Sequence, residues 1–157
     1  MSGTPSGTLI VRRLEPDDAA VAVRTITRLK HPDRPSTGDA AEGMRIWLED
    51  SHNILLAALE QEHPVGFALG YLLDRVDERA QMLFFYEIEV LPTHRRQGIG
   101  TKLVEAMKRI AQAERVPKMW VQTDPENTAA RALYKRAGAV PSDSPDLIYY
   151  WTSERFQ

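Results

Sequence analysis

The sequence predicts one α/β domain built on a single mixed sheet, and three observations carry that prediction. Apolar residues alternate as Phe67, Leu69 and Tyr71 within Val65–Leu73, a strand period, and recur as Ile99, Leu103, Met107 and Ile110, a helix period. The elements so recognised run β-α-α-β-β-β-α-β-α-β, an order that interleaves helices with strands and places them on the faces of a sheet. The chain has 157 residues, 43% hydrophobic and 27% charged, enough for one ordinary hydrophobic core.

Taken in order, residues 1–7 are a small polar tail and 8–157 the domain. Thr8–Leu14 has the composition of a first strand. Asp17 is the expected cap of a helix carrying Ala20, Val23, Ile26 (or Thr27) and Leu29 inward. The two prolines and glycine of 31–38 make a loop. A second helix over Asp39–Asp50 turns Met44, Trp47 and Leu48 inward. Asn53–Gln61 and Val65–Leu73 are strands joined by a turn at Glu62-His63-Pro64. After a charged connection, Gln81–Leu91 is a long strand leading to a helix over Gly98–Glu114. Lys118–Thr123 is a short strand, Thr128–Ala137 a helix closed by Gly138, and Leu147–Thr152 a last aromatic strand.

Chemistry concentrates where the long strand meets its helix. Glu87-Ile88-Glu89-Val90 is followed by Leu91-Pro92-Thr93-His94, then Arg95-Arg96-Gln97-Gly98-Ile99-Gly100-Thr101. The first helical turn offers backbone N–H groups without partners inside the helix, at the positive end of its dipole and beside two guanidinium groups. Gly98 and Gly100 lack side chains, which is expected to let an anion approach the backbone. These features describe a pyrophosphate site. A P-loop would need Gly-Lys-Ser/Thr, and no lysine stands between Gly100 and Thr101. A dinucleotide fingerprint would need G-x-G-x-x-G, and the positions before Gly98 are Arg96 and Gln97.

The spacing Arg95-x-x-Gly98-x-Gly100 resembles the R/Q-x-x-G-x-G/A loop of the GNAT superfamily of N-acetyltransferases. Asn127-Thr128-Ala129-Ala130-Arg131-Ala132-Leu133-Tyr134 resembles the N-x-x-A-x-x-x-Y pattern of the helix beside the thioester in that family. The resemblance implies the GNAT fold, a mixed and mostly antiparallel sheet in which acetyl-CoA lies at a splayed strand pair. It implies that Arg95, Arg96, Gln97, Gly98, Ile99, Gly100 and Thr101 hold the pyrophosphate. The backbone of Ile88 and Val90 would pair with the pantetheine arm, and the Asn127 side chain would meet it. Tyr134 would protonate the leaving thiolate. A phenol suits that task, because its pKa lies close to that of a thiol, roughly 8.5–10.

The attacking amine is cationic in water and must lose a proton. Glu87 and Glu89 share a strand parity and face one side unless a bulge re-aims one. Glu87 is the expected base, with Glu89 helping to bind the cation. Within the superfamily, Tyr86–Val90, His94–Gly100, Val121-Gln122-Thr123-Asp124 and Ala132-Leu133-Tyr134 look like the aminoglycoside 3-N-acetyltransferases. That likeness implies acetylation of the 3-amino group of a deoxystreptamine ring. Glu87, Glu89, Asp124 and Glu126 would hold the polycationic sugar, and Asp143 and Asp146 are further carboxylates near the last strand. The loop after Asp124 is less aspartate-rich than the likeness implies. Another amine, whether polyamine, amino acid, peptide or protein N-terminus, stays open, as does a non-catalytic acyl-CoA sensor.

Charge distribution fits an anionic cofactor with a cationic second substrate. Residues 39–91 carry eleven Asp or Glu against three Arg, whereas 92–118 carry seven Lys or Arg against two Glu. The absence of cysteine excludes a thiolate metal site and an acyl-cysteine intermediate. His31, His52, His63 and His94 show no ligand spacing, so no metal is expected. The basic helix lacks interleaved aromatics, which argues against nucleic acid. Without a signal pattern or an apolar run of membrane-spanning length, the cytoplasm is the expected location and no membrane the expected partner. Trp47, Trp120 and Trp151 read as core or dimer surface, and the resemblance implies a homodimer.

Overall fold

The structure, a computed structural model, describes residues 7–34, 38–77 and 79–142. The expected tail (save Gly7), the last strand, Asp143, Asp146 and Trp151 lie outside the described residues. Strands β1 (Leu9–Arg13), β2 (Asn53–Glu60), β3 (His63–Asp74), β4 (Gln81–Val90) and β5 (Met119–Val121) form one sheet in that order. β1 to β4 pair antiparallel and β5 joins β4 in parallel, so the sheet is mixed and mostly antiparallel. Helices α1 (Ala19–Lys30) and α2 (Ala40–Glu49) cover one face. α3 (Ile99–Ala113) covers the other, with α4 (Thr128–Arg136) beside it.

Each face has its own core, because alternate strand residues point to opposite sides. Ile54, Leu56, Ala68, Leu83 and Phe85 pack on Ile99, Leu103 and Met107 of α3. Leu55, Ala57, Leu59 and Phe67 pack on Ala22 and Leu29 of α1 and Leu48 of α2. Fully burying a side chain such as Leu103 or Met107 contributes about 1.5–3 kcal/mol. The α3 stripe therefore fixes where that helix begins, and with it the loop after β4.

Four local expectations are corrected. Asp18, not Asp17, organises the entry to α1: its carboxylate accepts the Glu15 N–H at 2.9 Å and a two-pronged contact from Arg12 at 2.7 and 2.8 Å. The Arg12 guanidinium holds that carboxyl below its ordinary pKa. α1 buries Ala19, Ala22, Thr25 and Leu29 while Ala20 is exposed, because small side chains let the helix approach the sheet closely. Thr25 is accommodated by donating its hydroxyl to the Val21 carbonyl at 2.8 Å. The β2–β3 turn is Gln61-Glu62, both at positive φ (48° and 66°), a two-residue hairpin made without glycine. Pro64 lies inside β3 opposite Leu59, next to a bulge. Finally, β5 stops at Val121 instead of Thr123, since β4 bears no ladder beyond Phe85 for it to follow.

Candidate functional site

The β4–β5 pair forks. Leu83, Phe84 and Phe85 pair with Met119, Trp120 and Val121, and there the ladder ends. On its other side β4 stays bonded to β3 up to Val90, which pairs with Gly66. From Tyr86 to Val90 the β5-facing edge of β4 has no strand partner among the described residues. An open edge of this kind accepts an extended ligand through backbone hydrogen bonds.

A bulge at the fork sets which way the carboxylates face. Leu69 pairs with Glu87 and Gly70 with Phe85, leaving Tyr86 as the extra residue. Phe85, Ile88 and Val90 consequently pack toward α3. Glu87 and Glu89 face α1 and α2, opposite Leu69 and Phe67 of that second core. The bulge precedes both glutamates and so keeps them on one side, as their spacing predicts. Tyr86 is 53% exposed and its ring meets Tyr71 and Phe84 edge-on at 5.8 and 5.5 Å.

Glu87 has a partner that sequence reasoning missed. Lys30, in the last turn of α1, places its Nζ 2.5 Å from Glu87 Oε1. The two residues are 57 apart in sequence, and no local signal links them. Next to this pair lies an open cavity of about 360 Å³ between the two helices and the sheet. Ile26 of α1, Met44 and Trp47 of α2, and Leu69 and Tyr71 of β3 form its largely apolar walls. Trp47 is thus a cavity wall, and Trp120 stacks on Phe84 at 4.0 Å by the fork.

Beyond β4 the chain makes a short turn over Pro92–His94 and then enters left-handed backbone at Arg96 (φ 64°) and Gly98 (φ 78°) before α3 begins. The first backbone bond into the helix from this segment runs from the Lys102 N–H to the Gly98 carbonyl at 3.0 Å, so the N–H groups of Ile99, Gly100 and Thr101 have no partner inside the helix. Arg95 Nε donates to the Val90 carbonyl at 3.1 Å, and Gln97 Nε2 to the Thr93 carbonyl at 3.3 Å. His94 bridges Thr93 Oγ1 (2.8 Å) and Glu60 Oε2 (3.3 Å), tying the loop to β2. Arg95, Arg96, Gln97, Gly98 and Thr101 are exposed, whereas the Ile99 side chain is core and offers only its backbone. The two glycines differ in what surrounds them. A Cβ on Gly98 would meet nothing within 4 Å, but one on Gly100 would lie 3.2 Å from Leu133 of α4. Gly100 therefore lets the two helices approach closely.

That close approach delivers α4 to the fork. Asn127 caps α4 by accepting the Ala130 N–H at 3.0 Å, which leaves its amide NH₂ available. The Tyr134 ring packs edge-on against Phe85 at 6.1 Å. Burial alone raises the Tyr134 phenol above its ordinary pKa, with no charged neighbour contributing. Tyr134 thus stands at the fork on the α3 side, and Glu87 and Glu89 stand on the α1–α2 side of the same strand. Asp124 and Glu126 sit apart on the exposed β5–α4 loop. Asp124 Oδ1 accepts the Glu126 N–H at 2.8 Å, and no bond links either residue to Glu87.

Among the described residues no cluster of three His, Asp or Glu side chains could hold a metal ion, and no helix is long and apolar enough to cross a membrane.

Comparison with known proteins places this geometry. The chain is 26% identical over 143 residues to the L-2,4-diaminobutyric acid acetyltransferase of Nocardia farcinica, covering 88% of this chain and 70% of the relative. It is 27% identical over 122 residues to an aminoglycoside N(6')-acetyltransferase type 1 of Salmonella typhimurium, covering 76% and 82%. An aminoglycoside acetyltransferase from an uncultured soil metagenomic sample, solved with sisomicin, superposes with a TM-score of 0.79 at 22% identity, over 92% of this chain and 97% of that one. AAC(6')-Iy, solved with a bisubstrate analogue of CoA and acetylneamine, gives 0.73 at 22% identity, over 92% and 98%. Residues 20–139 match the acetyltransferase (GNAT) family, a span that includes α1, the forked strands, the glycine loop and Tyr134. The chain belongs to that family of acetyltransferases.

Proposed function

We propose that the protein transfers the acetyl group of acetyl-CoA to an amino group of an aminoglycoside. The observation that carries this reading is the forked strand pair, with carboxylates on one side of β4 and a protonated phenol on the other. The residues fit the cosubstrate. The N–H groups of Ile99, Gly100 and Thr101, with Arg95, Arg96 and Gln97, suit a pyrophosphate. The open edge at Ile88 and Val90 and the free amide of Asn127 suit the pantetheine arm. When bound, the cosubstrate supplies an activated acetyl group. Glu87 takes one proton from the acceptor ammonium, directly or through one water, which frees the lone pair that bonds to the acetyl carbon. The second proton leaves that nitrogen as the amide forms and returns through solvent to the Tyr134 oxygen. Tyr134 gives its proton to the sulfur as the carbon–sulfur bond breaks, so the products are an amide and a free thiol. A backbone N–H on the open edge polarises the carbonyl.

An aminoglycoside carries several ammonium groups, and each well-made charge-assisted contact is worth about 1.5–3 kcal/mol. Glu87 and Glu89 provide two such contacts on one face, with Asp124 and Glu126 at the rim. The likeness of Tyr86–Val90 and Val121–Asp124 to the 3-N-acetyltransferases supports the 3-amino group of the deoxystreptamine ring as acceptor. The names of two relatives point to the 6′ position instead. The working unit in this reading is a homodimer, which light scattering checks.

The apolar cavity favours a second reading, a monoamine whose apolar arm fills the space beside Glu87. Thiol release from acetyl-CoA with gentamicin, sisomicin, kanamycin, spermidine and 2-phenylethylamine separates the two. Turnover with sisomicin or gentamicin at micromolar KM supports the first, and proton NMR of the product distinguishes the 3 from the 6′ position. Turnover with 2-phenylethylamine alone discards the aminoglycoside and keeps the chemistry.

A further inference from the structure

We propose that Lys30 is an internal stand-in for the acceptor: its ammonium occupies the place on Glu87 that the acceptor's ammonium takes, and binding is an exchange of one for the other. The inference rests on the reading that Glu87 meets the acceptor amine. Lys30 Nζ sits 2.5 Å from Glu87 Oε1, the arrangement an amine must reach to hand over a proton. The side chains are 34% and 24% exposed, covered enough to strengthen the pair yet open enough for it to part.

The surroundings place this pair at the acceptor's door. Ile26, four residues before Lys30 and on the same side of α1, lines the apolar cavity. Leu69, the cross-strand partner of Glu87, lines it too. The ion pair therefore stands beside that cavity, next to two of its lining residues. Lys30 also lies in the last turn of α1, where the carbonyl end of the helix favours a cation and gives the displaced ammonium a place to remain.

Exchange has a consequence for affinity. In the free enzyme Glu87 already has an ammonium, so an acceptor gains little there and must draw its affinity from other contacts. Removing Lys30 frees that gain for every amine the enzyme uses, and strengthening its hold makes every amine bind more weakly. Arginine forks onto a carboxylate through two N–H groups and is a stronger competitor than lysine.

The test is steady-state kinetics of the full chain and its Lys30→Met, Lys30→Arg and Glu87→Gln variants with sisomicin and 2-phenylethylamine. Acceptor KM is expected to rise in the order Met, Lys, Arg at position 30, with Lys30→Met about fivefold below wild type. KM for acetyl-CoA stays unchanged in both Lys30 variants. A purely structural tie between α1 and β4 gives the opposite pattern, with Arg close to wild type and Met raising KM, and that result overturns the proposal. An unchanged acceptor KM in both Lys30 variants, while Glu87→Gln lowers kcat, also overturns the proposal and leaves the role of Glu87 standing. If Glu87→Gln leaves kcat and kcat/KM unaltered, the underlying reading falls and the proposal with it. Should Lys30→Met not fold, the side-chain ¹⁵N signal of Lys30 in the wild type decides. Its loss of protection on saturation with the amine supports exchange, and its persistence overturns it.

Discussion

Tyr134 and Glu87 lie on opposite sides of one strand, and in the proposed mechanism a proton leaves the amine on one face while another reaches sulfur on the other. Burial keeps the Tyr134 phenol protonated beyond its usual range, which makes it a donor throughout the neutral region. Tyr134→Phe keeps the ring contact with Phe85 and removes only the proton. Turnover is expected to fall about 10²-fold or more with CoA affinity held within about twofold, as single-turnover thiol release and calorimetry would show. Unchanged turnover removes Tyr134 from the chemistry. The sequence singled out both residues, Glu87 on the strand before the glycine loop and Tyr134 in a helix motif, and the structure brings both to the fork. Lys30 was not legible there, because an ion pair across 57 residues leaves no trace in local pattern. Asn127 was legible in both its aspects, as a helix cap and as part of the motif.

Among the elements, the glycine loop and the β2–β3–β4 end of the sheet show how backbone geometry sets function and stability. Gly98 adopts a left-handed conformation that costs an L residue about 1–2 kcal/mol, although a Cβ would meet nothing within 4 Å. Gly98→Val is therefore expected to relax the first turn of α3 and weaken CoA about tenfold with little loss of fold, measured by calorimetry and thermal melting. Normal CoA affinity would show that the first turn is not the pyrophosphate site. At the far end of the sheet, His52 joins Asp50 (3.0 Å) and Asp74 (3.3 Å), and Asp74 also accepts from Gln81 at 2.8 Å. The hydrogen bond to Asp50, then that to Asp74, raises the His52 pKa, while both carboxyls are held low.

The sign follows for each group. The raised imidazole adds stability fully present below its unfolded pKa and lost as pH rises through its folded value. The lowered carboxyls add stability present above their unfolded pKa and lost as pH falls through their folded values. The cluster therefore stabilises most in the mildly acidic range between the two sets. His52→Gln is expected to lower the melting temperature most at about pH 5–6 and least above about pH 8. A loss independent of pH would mean that packing, not charge, carries the effect.

Over the whole molecule, the acidic stretch 39–91 supplies Glu87 and Glu89, and the basic stretch 92–118 begins with the anion loop and α3. Under the proposed function, an anionic cosubstrate and a polycationic acceptor would be drawn to different parts of one strand–loop–helix unit. Raising salt from about 50 to about 300 mM is expected to raise KM severalfold for sisomicin and clearly less for 2-phenylethylamine. Equal changes for both would show that the acceptor site does not sense total charge.

Sequence alone determined the order of the described elements and the face of α3 that packs on the sheet, because each is written in spacing along a few turns of chain. It misplaced the β2–β3 turn, since Gln61 and Glu62 adopt positive φ without the glycine or asparagine that usually announces it. It did not show that Gly100 lets α3 and α4 approach, because the side chain that needs the space, Leu133, is 33 residues away and comes from another helix. Only the tertiary structure decided the bulge at Tyr86, the apolar cavity beside Glu87 and the ammonium already resting on that carboxylate. These depend on how far apart α1, β3, β4 and α4 come to rest, and that distance is set by the packing of two cores at once.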